Sequence, residues 1–400
     1  MAEALRLGFA GLGMAAGRLI PEIARLPYIR LSAAADLRQQ PLAKFKQEFN
    51  AEVFTSVEAM VQCPNLDAVY VATPHEYHTR HALVALENRK HVIVEKPMAL
   101  SIEAAEAMNK AAEKNGVKLM AGHTHSFDPP VKKIREMVAR EELGRLLMIG
   151  TSYYKDHLYR PFPDHDIEMS RGVVLNQGPH QVDVVRLIGG GMVRSVRAMA
   201  GVGDPHRPGE GHYVCYLEFE NGVSASLVYS GYAFFDTGEI VWGIGEGGET
   251  KDPDRHPKAR RFFREIGHGP DKNRLLEQRL EQWRYGATGQ GAWAANTESG
   301  DHQPFFGLTI VTCERGDIRQ SPDGLYIYDD EGRREVALKK GEGARSMEMK
   351  EFYDAIMEDR PVFHDGRWGE ATLEVCLGIL ESASRREEVT MSHQVASPLE

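Results

Sequence analysis

The turn Gly11-Leu12-Gly13-Met14-Ala15-Ala16 follows the apolar run LRLGFA and opens an amphipathic stretch. A glycine-rich turn between strand and helix lets backbone N–H groups at the helix start receive a pyrophosphate. Asp36 comes 23 residues after Gly13, at the end of the next apolar run, where a carboxylate can accept hydrogen bonds from adenosine ribose hydroxyls. Arg38 could instead pair with a 2′-phosphate, although Asp36 would repel that phosphate. Gly11, Gly13, Met14, Asp36 and Arg38 therefore predict a dinucleotide site, with NAD the expected cofactor and NADP the alternative.

Glu95-Lys96-Pro97 closes a further apolar run, HVIVE. Strand carboxyl ends border the ligand crevice of an open α/β sheet, where Lys96 would face the cofactor; taken alone, the tripeptide reads as readily as a surface ion pair of Lys96 with Glu95. Farther on, His180 and Asp183 are spaced i, i+3, on one helical face. A carbinol that loses hydride must also lose its hydroxyl proton. An imidazole titrating near neutrality suits that transfer, and a cationic lysine can stabilise developing oxyanion character.

Elements must position these groups. Between Leu5 and about Thr124, LRLGFAG, IRLSAAAD, DAVYVATP, HVIVEKP and VKLMAGHT read as strands. Met14 to Arg25, Pro41 to Phe49, Tyr77 to Asn88 and Ile102 to Asn115 read as the helices between them, with Ser101 placed to cap the last. Right-handed crossovers then give a Rossmann doubly wound parallel sheet. After Pro129-Pro130 and a helix from Val131 to Arg140 the texture changes. RLLMIGTSYY, VRSVRAMAG, HYVCYLEFE, VSASLVYSGY, EIVWGIG, LTIVTCERG and LYIYDDEGRREVAL read as strands, and Asn221-Gly222 predicts a type I′ hairpin. An apolar helix from Val174 to Leu187 should pack on this second sheet, and SMEMKEFYDAIMED and TLEVCLGILESASRR close the chain as helices. The expected fold class is α/β: a Rossmann domain over 1–124, then an α+β domain over 125–400 on a large, mostly antiparallel open sheet. An insertion at about 251–305 interrupts the second domain. Its residues 251–290 hold ten Lys or Arg against six Asp or Glu, which reads as a solvated insertion or oligomer arm sooner than as a phosphate patch.

The 400 residues carry 48 basic and 58 acidic side chains, a net −10, which gives no electrostatic reason to approach nucleic acid or an anionic membrane. Cys63, Cys215, Cys313 and Cys376 lie far apart without a CxxC pair, fitting free thiols in a reducing compartment. No stretch approaches the roughly 20 apolar residues of a membrane span, and the start shows no leader pattern. The expected location is the cytoplasm. Neither a GxSxG elbow nor a GxxxxGK[ST] loop points to acyl or phosphoryl transfer.

Taken in order, AGLG at 10–13, ATPHEYH at 72–78, HVIVEKP at 91–97 and GPHQVDVVRLIGG at 178–190 resemble the Gfo/Idh/MocA oxidoreductases. The resemblance implies a tightly bound nicotinamide cofactor and a second domain whose open sheet often joins subunits, hence a homodimer or homotetramer. It implies that Lys96 approaches the reacting hydroxyl, often through a cis Lys-Pro peptide, and that His180 is the acid/base. Thr73, Pro74 and His78 would border the nicotinamide side of the cofactor. The family usually has an aspartate four residues before the histidine; this chain has Asn176, which can hydrogen-bond to substrate but cannot hold a proton or a charge. No metal is expected.

GHTHSFDPP, LYRPFPDHDIEMSRGVVLNQGPHQVDVVRLIGGG, EGHYVCYLEFENG, LVYSGYAFFD, CERGDIRQSPDG and DGRWGEATLEVCLGILESA resemble one group within that family, the phthalate 4,5-cis-dihydrodiol dehydrogenases. This implies oxidation of a ring-carboxylated cyclohexadiene cis-diol to a ketone that enolises to a dihydroxyarene. Lys155, Arg160 and Arg171 are then the expected carboxylate partners. Tyr154 would supply an aromatic surface and His125 would line the substrate cleft. The alternatives are a sugar, inositol or sugar-acid dehydrogenase, and a dinucleotide-binding regulator without turnover.

Overall fold

The computed structural model describes residues 4–252, 256–287, 300–339 and 343–397, so parts of the expected 251–305 insertion lie outside the described residues. It divides into two units. The first comprises residues up to His123 together with described parts of Glu277–Thr297 and Arg345–Leu373; the second comprises the remainder from Thr124. The described parts of 277–297 and of 345–373, placed by sequence in the second domain, thus count with the first.

The first unit holds β1 (Leu5–Ala10), α1 (Met14–Ile23), β2 (Ile29–Ala35), α2 (Gln39–Phe49), β3 (Glu52–Phe54), α3 (Val57–Met60), β4 (Ala68–Val71), α4 (His78–Glu87), β5 (His91–Glu95), α5 (Ile102–Asn115) and β6 (Leu119–Gly122). Its six strands are parallel, in the order β3-β2-β1-β4-β5-β6, which is the doubly wound arrangement expected. Leu7, Phe9, Val69, Val71, Val92, Ile93 and Val94 are fully buried, as strands covered by helices on both faces must be. Ser101 does cap α5, accepting the Ala104 N–H at 3.3 Å, and Gly116 ends it in the left-handed region at φ 65°.

The second unit opens with α6 (Pro129–Ala139), β7 (Leu146–Tyr154), α7 (Asp164–Met169) and α8 (Gly178–Gly189). It continues with β8 (Val193–Gly201), β9 (His212–Phe219), β10 (Ser224–Ser230), α9 (His256–Ile266) and the start of α10 (Lys272–Glu281). The chain then runs through β11 (Leu308–Cys313), β12 (Gly316–Ser321), β13 (Gly324–Asp329) and β14 (Gly332–Ala337) to α11 (Ala344–Met357), α12 (Gly366–Arg385) and β15 (Val389–Thr390). Nine strands form one sheet, β14-β13-β12-β11-β7-β10-β9-β8-β15, antiparallel except for the parallel β7–β10 pair.

One face of this sheet carries α8, and on the other Met199, Val214, Tyr216 and Ile310 are exposed. Gln181 fastens the helix: its side-chain amide donates to Thr151 Oγ1 and Val228 O, both at 3.3 Å, while Tyr213 donates to its Oε1 at 2.7 Å. Every polar atom of that buried amide thereby has a partner, which fixes α8 in one orientation.

Two local expectations fail. EIVWGIG is a 3₁₀ turn over Thr237–Val241 followed by Trp242 at φ 58°, since Asp236 caps the segment by accepting the Gly238 N–H at 2.7 Å. The β9–β10 hairpin is not type I′, because Gly222 (φ 83°) has positive φ and Asn221 does not. Phe219 N–H donates to Val223 O, closing a three-residue loop whose last glycine takes the left-handed position.

Candidate active site

In the first unit the dinucleotide motif sits where β1 meets α1. Gly11 has φ 92°, and a Cβ there would lie 2.7 Å from Ala72 O, so a side chain is excluded twice over. Gly13 is the N-cap of α1, with no side-chain cap and no acidic residue in the first turn that Met14 begins. The N–H groups of that turn are thus left for an anion, and the helix dipole favours one. Asp36 follows β2; its carboxylate accepts from Leu12 N–H at 2.7 Å and from Arg38 N–H at 2.8 Å. Burial opposes ionisation of Asp36, but the Arg38 side chain and these two backbone donors outweigh it and hold the carboxyl below its usual range. This set fits a dinucleotide, whose pyrophosphate Gly11, Gly13 and Met14 would receive and whose ribose Asp36 would hold.

The strand ends of β4 and β5 carry the other first-unit residues. Lys96-Pro97 is cis, and Lys96 is half-buried. Glu95 accepts the Tyr70 hydroxyl at 3.1 Å. His78 is buried, with ring nitrogens 2.8 Å from Pro97 O and 2.8 Å from Thr73 O. It therefore lies between the Thr73-Pro74 loop and the Lys96-Pro97 loop, and a neutral ring donates to one of the two carbonyls. His75 lies beside it, pushed well below the ordinary histidine value by burial and then by the neighbouring His78 and Lys96.

The second unit gathers His125, His180, Tyr153 and Phe306. His180, in the first turn of α8, meets the His125 ring edge-on at 4.9 Å between centroids. Phe306 lies 4.5 Å from His125, 5.3 Å from His180 and 5.0 Å from Tyr153. The His125 Nδ1 is 2.9 Å from the buried Asp128 carboxylate, and Asp183 accepts the Ser126 hydroxyl. Asn176, in the turns ahead of α8, accepts from the Gln177 amide at 2.8 Å.

Against this wall stands a charge cluster. Lys155 is ion-paired to Glu246, and Tyr153 donates to Glu246 Oε1 at 2.7 Å. Arg160 Nη2 is 4.0 Å from Glu246 Oε2. Burial pushes Lys155 down to about 8 despite Glu246. Burial also opposes ionisation of Glu246, yet Lys155, Arg160 and Lys251 together hold it well below the usual carboxylate range. Two cations about one carboxylate leave a net positive charge beside aromatic rings. That combination suits an anionic ring compound.

His125, Lys155, Arg160 and His180 thus lie in one neighbourhood of the second unit, linked through Phe306, Tyr153 and Glu246. Tyr154 and Arg171 are not part of it. Side chains alternate along β7, so Tyr153 is buried on the α8 side and Tyr154 is exposed. Arg171 has a half-exposed side chain paired with Glu210. Glu246 and Phe306 were missed, lying on loops without a local signal; of the two neighbouring tyrosines the sequence reading singled out Tyr154, where the period of two in RLLMIGTSYY could have chosen Tyr153.

Residues 5–123 match the oxidoreductase family with an NAD-binding Rossmann fold, and residues 131–249 match the GFO/IDH/MocA C-terminal domain. Over 385 residues, 94% of each chain, the protein is 34% identical to 1-carboxy-3-chloro-3,4-dihydroxycyclohexa-1,5-diene dehydrogenase of Comamonas testosteroni. It is 28% identical to mouse (Mus musculus) trans-1,2-dihydrobenzene-1,2-diol dehydrogenase over 57% of this chain and 68% of that one. Among solved structures, a protein from Bordetella bronchiseptica RB50 described as a putative dehydrogenase superposes with a TM-score of 0.87 at 36% identity, covering 97% of this chain and 100% of its own.

Proposed function

The chain belongs to the GFO/IDH/MocA oxidoreductase family, and from that premise we propose that it oxidises a ring-carboxylated cyclohexadiene cis-diol, of the phthalate 4,5-cis-dihydrodiol type, to a dihydroxyarene. It is an NAD-dependent dehydrogenase acting on CH–OH groups. The observation that carries the substrate proposal is the second unit's aromatic wall of His125, Tyr153 and Phe306 beside the Lys155–Glu246–Arg160 charge cluster. The printed name of the Comamonas relative, with a carboxyl group on a dihydroxycyclohexadiene, supports the same class.

When bound, NAD⁺ supplies the hydride acceptor. In this proposal a ring nitrogen of His180 takes the proton of the reacting hydroxyl, and the Lys96 ammonium stabilises the charge that develops on its oxygen. The Asn176 amide hydrogen-bonds a diol hydroxyl. Arg160 pairs with a ring carboxylate, Lys155 adds positive potential from its seat on Glu246, and Phe306 and Tyr153 flank the ring. The ketone loses a ring proton and enolises. Aromatisation then makes the oxidation irreversible without a second ionisable group, which accommodates Asn176 in place of the family's aspartate.

The test is a substrate panel with NAD⁺, read at the reduced-nicotinamide absorbance band: cyclohexadiene cis-diols with no, one or two ring carboxylates, myo-inositol and glucose 6-phosphate. The proposal expects kcat/KM on a carboxylated diol to exceed that on the uncarboxylated ring by about a hundredfold, the worth of one charge-assisted contact. A preference for either polyol would discard the substrate and keep the reaction class.

A further inference from the structure

We infer that Glu281 is a cofactor-discriminating residue: by engaging Arg38 it reserves the ribose end of the dinucleotide site for a free 2′-hydroxyl and excludes a 2′-phosphate. The inference rests on the assignment of Gly11, Gly13 and Asp36 to a dinucleotide.

An arginine has five N–H donors. In Arg38, Nε donates to Asp36 Oδ1 at 3.0 Å, and Nη2 donates to Leu12 O at 2.8 Å and Asp36 Oδ2 at 3.1 Å. Nη1 faces both Glu281 oxygens, at 3.1 and 3.4 Å. Each nitrogen of the fork thus has a carboxylate or carbonyl acceptor. The acceptors on Nε and Nη2 belong to the dinucleotide turn and its ribose acid. Glu281 alone comes from elsewhere in the chain, so it decides whether Arg38 can turn to a phosphate.

The segment that brings Glu281 is anchored on the same β-α unit. The Tyr285 N–H donates to Gly13 O at 3.2 Å, and a Cβ on Gly17 would lie 3.1 Å from Trp283 O. The Tyr285 hydroxyl donates to Glu48 of α2, its ring meets Phe45 edge-on at 6.0 Å, and Gly286 lies against Pro41. Arg284 holds Glu281 in turn, with Nη1 2.6 Å from Oε2, while its Nη2 pairs with Glu277 at 2.7 Å. Charges alternate from Asp36 through Arg38, Glu281 and Arg284 to Glu277, three negative and two positive. A doubly charged 2′-phosphate entering that array meets net repulsion, whereas a ribose hydroxyl can donate to Asp36.

Titrations of NADH and NADPH, followed by nicotinamide fluorescence, test this on the intact protein and on Glu281→Gln, whose side chain is half-exposed and whose retained NADH binding reports an intact site. Wild type should prefer NADH. Glu281→Gln should tighten NADPH by about threefold to fivefold, the worth of one partly exposed charge interaction, with NADH within about twofold. Adding Arg38→Ala should abolish the gain. An unchanged NADPH-to-NADH ratio in Glu281→Gln, a gain that survives without Arg38, or a wild type that prefers NADPH would overturn the inference. Failure of wild type to bind either nucleotide would remove the dinucleotide assignment and this inference with it.

Discussion

Lys155 shows how burial converts a common side chain into a tuned one. Its ammonium has a carboxylate and a phenol within reach, yet burial outweighs Glu246 and brings its pKa to about 8. Glu246 stays ionised, so at neutral pH the group of Lys155, Arg160 and Glu246 carries +1, and once Lys155 loses its proton it carries zero. A lysine is charged below its pKa, so attraction for an anionic substrate is present below about pH 8 and is lost above it. The KM for a carboxylated diol should therefore rise by about tenfold between neutrality and pH 9, and Lys155→Arg should flatten the rise because guanidinium keeps its proton. Steady-state kinetics against pH check this; a flat wild-type KM would contradict it. Lys155 and Arg160 were legible in the sequence as cations near aromatic residues. Glu246 was not, because an ion pair closed across 91 positions leaves no local pattern.

Alternation decides which tyrosine matters on β7. The strand buries Ile149, Thr151 and Tyr153 toward α8 and turns Met148 and Tyr154 outward, and its one-to-one pairing with β10 fixes that register. Tyr153→Phe, which removes the hydroxyl bonded to Glu246, should lower kcat/KM by about tenfold, while Tyr154→Phe should stay within about twofold. Equal losses in the two variants would refute the register argument. Elements with a strong period were legible: α5 matches its sequence range from Ile102 to Asn115, and β1, β2, β4, β5 and β6 were read as the strands of a doubly wound sheet. The short β3 and α3 were too brief to show a period. β12 was hidden in the polar run GDIRQS, which draws its strand character from pairing with β11 and β13. EIVWGIG has strand composition, yet a capping carboxylate and a left-handed Trp242 override it.

At the scale of the molecule, the change of texture near residue 125 was legible, and the return of the chain to the first unit was not. Ala121 N–H donates to His364 O at 2.9 Å, Asn109 donates to Glu370 at 2.6 Å, and the Tyr28 and Tyr353 rings meet at 4.9 Å. Such pairings join residues more than 200 positions apart, and composition carries no trace of them. No described helix is long and apolar enough to cross a membrane, and all four cysteines are buried as free thiols. Lys96 belongs to the first unit and His180 to the second. The account turns on that pair. The decisive measurement is the yield of dihydroxyarene and NADH from a ring-carboxylated cis-diol, made with wild type, Lys96→Ala and His180→Ala after each is shown to bind NADH. The account predicts one NADH per dihydroxyarene from wild type and a loss of at least about a hundredfold in kcat in each variant, the usual worth of a general base or an oxyanion partner. Wild-type rates in either variant, or NADH formed without arene, would contradict it.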